Sequence, residues 1–258
     1  MTIWACLCAG DILLTADGLL PRGTQPPLTL REWQCVTTLS LGTTRLHVVR
    51  LDHPVVGVAG LRMMPLRASF DVLPAADYAM AGKAAELIYW DANTRYCGCC
   101  GSPMRMDTPI SKRCTACGKE VWPQLATAVI VRITRGRHDE EVLLARGRSF
   151  RGRYYGLVAG FVETGETLED AVCREVREET GIAIDSLCYF GSQPWPYPCG
   201  LMVGFTARYA GGQLRVQREE LADAIWCDRA HLPELPGRAS IARRLIDDWL
   251  MAATPPRA

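Results

Sequence analysis

No stretch of this chain is apolar for long enough to cross a bilayer as a helix. Such a span needs roughly 18 to 20 consecutive apolar residues, and the longest run, over residues 126–133, is broken by Thr127 and Arg132. An excess of charge of one sign is missing too. Twenty-nine Lys and Arg face 28 Asp and Glu, a formal net charge of +1, so the whole-molecule field steers toward neither nucleic acid nor an anionic surface. Repeats and low-complexity tracts are absent, and 48% hydrophobic with 22% charged residues excludes long disorder, a collagen-like chain and a mucin-like stalk. The amino-terminal stretch up to Asp11 is apolar but has no basic leader, so no secretion signal is expected.

What is there is a folded protein of 258 residues, a length that suits about two domains. Its 12 cysteines would mean a disulfide scaffold in a short secreted chain. Spread over this length, they point to a reducing cytoplasm. Residues 1–70 carry no recognisable motif, and short strands are expected at 33–41 and 45–51 between Gly, Pro and Asp breaks. An Ala-rich helix is expected over 74–90, with Gly82 its weak point. Beyond residue 125, strands at 127–133, 142–145, 155–159, 182–190 and 201–209 interleave with a helix at 168–180 and a last helix from about residue 240. That alternation predicts an α/β layered domain.

Two C-x-x-C pairs, Cys97/Cys100 and Cys114/Cys117, are each followed by glycine, Gly101 and Gly118. Four soft thiolates at this spacing suit a closed tetrahedral Zn²⁺ site, which leaves no position for a substrate water and is therefore structural, one zinc per subunit. The alternatives are free thiols or a redox pair. Cys99 lies between ligands and is not expected to bind.

The segment 160–182 is the most informative. Thr167 is a suitable N-cap with Asp170 three residues on, and Gly181 is a C-terminal stop, so the helix should run from Leu168 to Thr180. At 3.6 residues per turn, Leu168, Ala171, Val172, Glu175, Glu178 and Glu179 share one stripe. Three anions on a face that begins apolar need positive charge, either from Mg²⁺ or Mn²⁺ or from Arg174 and Arg177 on a solvated helix. The pattern Gly160, Glu166, Arg174, Glu175, Val176, Glu178, Glu179, Gly181, Ile182 resembles the Nudix box at every specified position. The resemblance implies a Nudix hydrolase with an α/β/α sandwich around a mixed sheet. It also implies that Glu175, Glu178 and Glu179 bind the metals, that Glu166 and Arg174 organise loop and helix, and that Gly160 permits close backbone approach.

Downstream stands Ser192-Gln193-Pro194-Trp195-Pro196-Tyr197-Pro198-Cys199. By composition it is a stiff extended segment that presents aromatic and amide groups, or else a structural loop or partner surface. It resembles the signature of the NADH pyrophosphatase branch of the Nudix family, whose members also carry a four-cysteine zinc ribbon. Gly200 stands where that signature ends in Ser. The branch resemblance implies residues 1–95 as a small α+β domain, 96–121 as the zinc ribbon and 122–258 as the Nudix domain. It implies cleavage of NADH or NAD⁺ to nicotinamide mononucleotide and AMP, removal of NAD caps from RNA, and a cytoplasmic homodimer without membrane attachment. Substrate contacts are then expected from residues 192–199 and from Trp122 and Phe161, which would sandwich a flat base. Glu220, chosen over Glu219, and the carbonyl of Ala159 would complete the metal site. Glu179 is the choice for a general base if one is used. Arg146, Arg148, Arg151 and Arg153 form a basic loop suited to phosphates, or simply to solvent. The competing class is a non-catalytic NAD-sensing or RNA-binding module, which would not need three glutamates on one stripe.

Overall fold

The computed structural model describes residues 1–148 and 152–252; Arg151 lies outside them. The chain divides into two compact units, Met1–Leu125 with Trp195–Cys199, and Ala126–Pro194 with Gly200 onward.

The first unit contains β1 (Thr2–Cys8), β2 (Asp11–Thr15), β3 (Cys35–Leu41), β4 (Thr44–Arg50), β5 (Leu61–Pro65), α1 (Ala75–Asn93), β6 (Met104–Thr108), β7 (Ser111–Cys114) and β8 (Glu120–Val121). The first five strands form a sheet in the order β3-β4-β1-β2-β5, with β1 and β4 parallel. Strand β1 is buried from Ile3 to Cys8 because the sheet is covered on both sides. Ile3, Ala5 and Leu7 face Ala81, Ala84, Leu87 and Trp90 of α1, whereas Trp4, Cys6 and Cys8 pack with Leu28, Leu30 and Met63. A strand buried on both faces shows no apolar–polar alternation, which is why β1 and β2 escape a sequence reading. Gly82 has a packing reason: a Cβ there would sit 3.2 Å from Cγ of Pro196. Strands β6, β7 and β8 make a separate three-stranded sheet. Lys112 on β7, only 4% exposed, ties that sheet to the end of α1 through an ion pair with Asp91 (2.8 Å) and a hydrogen bond to the Thr94 carbonyl (3.1 Å).

The second unit contains β9 (Ala126–Arg135), β10 (Glu141–Gly147), β11 (Val158–Phe161), α2 (Leu168–Thr180), β12 (Ile182–Trp195), β13 (Gly200–Gly212), β14 (Leu221–Asp228) and α3 (Ile241–Ala252). Its sheet runs β12-β13-β9-β10-β14, with β11 also on β9, and it is mixed, since β13 is parallel to β9 and β11 antiparallel. Alternate residues feed two layers. Val129, Val131, Ile133, Leu143 and Ala145 pack with Ala171, Val172 and Val176 of α2. Ile130, Val142 and Leu144 pack with Ile241, Leu245, Ile246 and Trp249 of α3. The result is the α/β/α sandwich expected.

Strand β11 begins at Val158 rather than 155, because the pairing with β9 starts at Val158 opposite Val131. Gly156 makes only an isolated bridge to Ala145. Strand β10 meets β9 only at Glu141 and Val142, so beyond that point the sheet splits between β10 and β11.

Candidate active site

Helix α2 begins and ends where its caps dictate. The Thr167 hydroxyl accepts the Asp170 N–H at 3.1 Å, and Gly181 takes the left-handed conformation at φ +70° that glycine adopts without Cβ strain. The apolar face that packs on the sheet continues into Glu175 and Glu179, which are 8% and 5% exposed.

Arg174 holds the surrounding acids. Its Nε donates to Glu166 Oε1 at 2.5 Å and its Nη2 to Glu166 Oε2 at 3.0 Å. Its Nη1 reaches Glu175 Oε1 at 2.9 Å and Glu178 Oε2 at 3.0 Å, and Nη2 also meets the Phe161 carbonyl at 2.9 Å. Glu166 in turn accepts the Glu163 N–H at 3.0 Å, closing the loop before the helix. This planar, multiply bonded guanidinium fixes Glu175 as a lysine could not, and it holds Glu166 well below the usual carboxylate range. Gly160 is required on the other side, since a Cβ there would overlap the Glu175 carboxylate.

Glu175, Glu179 and Glu220 bring carboxylate oxygens within 4.8 Å of one another. Burial pushes the Glu175 carboxyl up, with Arg174 opposing it. Glu179 has no such cation: burial first, then the charges of Glu175, Glu220 and Glu178, push it up to about 8. Its Oε2 is buried with no hydrogen-bond partner, which costs on the order of 1–3 kcal/mol for a neutral group and more for a charged one. A hard divalent cation among these oxygens would remove both penalties, so the residues present fit such a metal. Glu179 and Glu220 border a cleft of about 400 Å³ that Gly147, Leu157, Ala159 and Glu219 also line. Glu220 is brought there by a braced turn. The Glu179 carbonyl accepts the Gln217 N–H at 2.9 Å and the Glu220 carbonyl accepts the Arg148 N–H at 2.8 Å, while Arg148 Nη1 donates to the Arg218 carbonyl at 2.8 Å.

The four cysteines of the first unit also converge. Sγ atoms lie 3.6 Å apart for Cys97 and Cys117 and 3.4 Å apart for Cys100 and Cys114. Backbone N–H groups of Cys99 and Ala116 point at the Cys97 and Cys114 sulfurs at 3.4 and 3.5 Å. Thiolates so close need a cation between them, and the set could hold zinc. Cys99 faces away, accepting from Lys119 Nζ at 3.3 Å.

Not every expected residue joins the acidic cluster. Glu178 lies outside it, its side chain 53% exposed and held by Arg174. Trp122 belongs to the first unit and Phe161 to the second, each with its ring exposed, 52% and 65%. Ser192, Gln193 and Pro194 continue β12, with Gln193 Nε2 donating to the Ala239 carbonyl at 2.7 Å. Trp195–Cys199 belong to the first unit, where the Arg67 guanidinium lies 4.8 Å from the Trp195 ring and 5.5 Å from that of Tyr197. The hydroxyls of Tyr78 and Tyr197 are 2.8 Å apart. No local motif marks Arg67 or Tyr78. Of the basic loop, Arg146 stacks over Tyr155 at 5.5 Å, and Arg153 is exposed.

Comparison with known proteins agrees with this geometry. Residues 123–249 match the NUDIX domain, and residues 2–90 match the NADH pyrophosphatase-like rudimentary NUDIX domain. The NAD-capped RNA hydrolase NudC of Deinococcus radiodurans is 40% identical over 244 residues, covering 93% of this chain and 85% of its own. NudC of Pseudomonas aeruginosa is 41% identical over 210 residues, covering 80% and 73%. The crystal structure of a NUDIX hydrolase from Nitrosomonas europaea shares the fold at a TM-score of 0.51 and 20% identity, over 62% of this chain and 92% of that one. On these matches the chain belongs to the NUDIX family, to the group in which a NUDIX domain follows an NADH pyrophosphatase-like rudimentary one.

Proposed function

We propose that this protein is a metal-dependent hydrolase that cleaves the diphosphate of NADH and NAD⁺ into nicotinamide mononucleotide and AMP, and by the same cut removes NAD caps from RNA. The observation that carries the proposal is the trio of buried Glu175 and Glu179 with exposed Glu220, the last two beside a cleft, in a chain with NudC relatives along most of its length. Glu175, Glu179 and Glu220, with the Ala159 carbonyl, would hold Mg²⁺ or Mn²⁺, and Glu178 joins them if it leaves Arg174. When bound, such cations supply charge neutralisation at the diphosphate and a more acidic attacking water. Arg174 and Glu166 keep Glu175 in place, and Gly160 leaves it room. Glu179, whose burial raises its affinity for a proton, is the group suited to accept one from the water. Phe161 and Trp122 offer exposed rings on which nicotinamide or adenine can stack, and residues 192–199 complete the substrate contacts.

Cys97, Cys100, Cys114 and Cys117 take one structural Zn²⁺ per subunit. The cytoplasm is the proposed location, because these thiols are all free and ligate metal only when reduced. No described helix is long and apolar enough to cross a membrane. A homodimer is part of the proposal and is read by sedimentation. The test of function is hydrolysis of NADH and of NAD-capped RNA by the purified protein with Mn²⁺, and Glu179→Gln should lower turnover by roughly 10² or more. Undiminished activity in that variant would refute the proposal, and binding of NAD without turnover would favour a sensing module.

A further inference from the structure

Glu220 depends for its position on an irregularity in the sheet. Strands β10 and β14 pair antiparallel from Glu141 opposite Asp228 to Arg146 opposite Asp223, and then the register shifts so that Gly147 faces Leu221. Ala222 is the extra residue. Because strand side chains alternate, one added residue moves everything beyond it to the opposite face. Leu221 therefore takes the face of Ala224, in the core with α2 and 5% exposed, and β14 begins there, so the bulge fixes where the preceding turn ends and where Glu220, its last residue, meets Glu175 and Glu179.

An extra residue in a ladder needs something to hold it in one place. On one side the Arg148 N–H bonds the Glu220 carbonyl at 2.8 Å. On the other, the hydroxyl of Tyr155 donates to Asp223 Oδ2 at 2.6 Å. Tyr155 is itself fixed: its N–H bonds the Glu234 carbonyl at 2.8 Å, and the next residue, Gly156, exchanges hydrogen bonds with Ala145 of β10 at 2.7 and 2.9 Å. The Tyr155–Asp223 bond thus spans the split in the sheet, from the segment leading into β11 to β14, directly beside the bulge. Asp223 is acidic and near the site but lies outside the carboxylate cluster.

We propose that Tyr155 and Asp223 are positioning residues that pin the β14 bulge and so hold Glu220 at the metal site. The inference rests on the reading of Glu220 as a metal ligand. Loss of an outer partner of a ligand typically costs 10- to 100-fold in metal affinity, so Tyr155→Phe, which removes one oxygen from the full chain, should weaken Mn²⁺ binding roughly tenfold.

The experiment is an electron paramagnetic resonance titration of the zinc-loaded protein with Mn²⁺ alone. Asp223→Ala should match Tyr155→Phe. Asp223→Asn should bind like the parent, because its amide oxygen still accepts from Tyr155; if removing a negative charge were the cause, Asn and Ala would weaken binding alike. Adding Tyr155→Phe to Glu220→Gln should cost nothing further. Thr134→Val, which removes a hydrogen bond to Asp139 elsewhere in the sheet, controls for general loosening and should bind like the parent. If Glu220→Gln weakens Mn²⁺ but Tyr155→Phe and Asp223→Ala do not, the positioning role is wrong and the role of Glu220 stands. The role of Glu220, and the inference with it, falls if Glu220→Gln binds Mn²⁺ as the parent does.

Discussion

Replacing Glu179 by glutamine should stabilise the metal-free protein in alkaline buffer and leave it unchanged in acid. The carboxyl is raised from 4.5 to about 8, first by burial and then by the charges of Glu175, Glu220 and Glu178. A raised carboxyl means that the fold prefers the protonated form. Between about pH 4.5 and 8 the folded state binds more protons than the unfolded, and stability falls as pH rises through that window. At about 1.4 kcal/mol per pH unit the gap sets a ceiling of about 5 kcal/mol. Partial access of solvent to the cleft brings the expected effect down to about 2–3 kcal/mol. Glutamine cannot ionise, and its buried amide is no worse partnered than the protonated acid, so parent and variant should unfold alike at about pH 4, below the value of the unfolded chain. At pH 9, in buffer free of Mg²⁺ and Mn²⁺ but with zinc retained, urea unfolding should show the variant ahead by about 2–3 kcal/mol. Mn²⁺ at about 1,000 times its Kd should reverse the order, since it adds about 4.1 kcal/mol to the parent. A stability difference that does not change between about pH 4 and 9 would mean that Glu179 is ionised in the metal-free fold, and the physical account of this site would be wrong.

Gly160→Ala should displace the Glu175 carboxylate, costing about 1–3 kcal/mol of stability by overpacking and lowering turnover more than it raises KM in steady-state assays. Cys97→Ser or Cys114→Ser should lower zinc content by elemental analysis together with thermal stability, whereas Cys99→Ser, outside the four-sulfur cluster, should change neither. Trp122→Ala should raise the KM for NADH about fivefold, the equivalent of about 1 kcal/mol of stacking, with turnover little changed; equal slowing of all diphosphate substrates at constant KM would assign Trp122 to the fold instead.

Helix α2 was legible to the residue because its caps and its period are local properties: Thr167, Asp170 and Gly181 act within a few positions of one another. The cysteine pairs were legible for the same reason. Elements whose surroundings come from far along the chain were not. Strand β1 hides its period by burying both faces. Glu178 shares the stripe of Glu175 and Glu179 by angle alone, but its longer exposure lets Arg174, one turn earlier, draw it away. Glu220 was chosen on the family resemblance, while the bulge at Ala222 beside it is a property of the pairing with β10 that no local pattern announces. The aromatic segment after Pro194 reads as one motif, yet its partners Arg67 and Tyr78 lie more than a hundred residues upstream, so its division between two units could not be read from composition.

That division bears on how the protein can be cut. The backbone passes from one unit to the other after Leu125, again after Pro194 and back after Cys199, so the catalytic half is not a continuous stretch of gene. A fragment beginning at Ala126 would keep the whole acidic cluster but carry Trp195, Pro196 and Tyr197 without Arg67, without Tyr78 and without the seat that Gly82 leaves for the proline. Those rings, left in water, would form an apolar patch of the kind that drives self-association. Trimming or recombining this chain at its most obvious junction should therefore yield an aggregating piece.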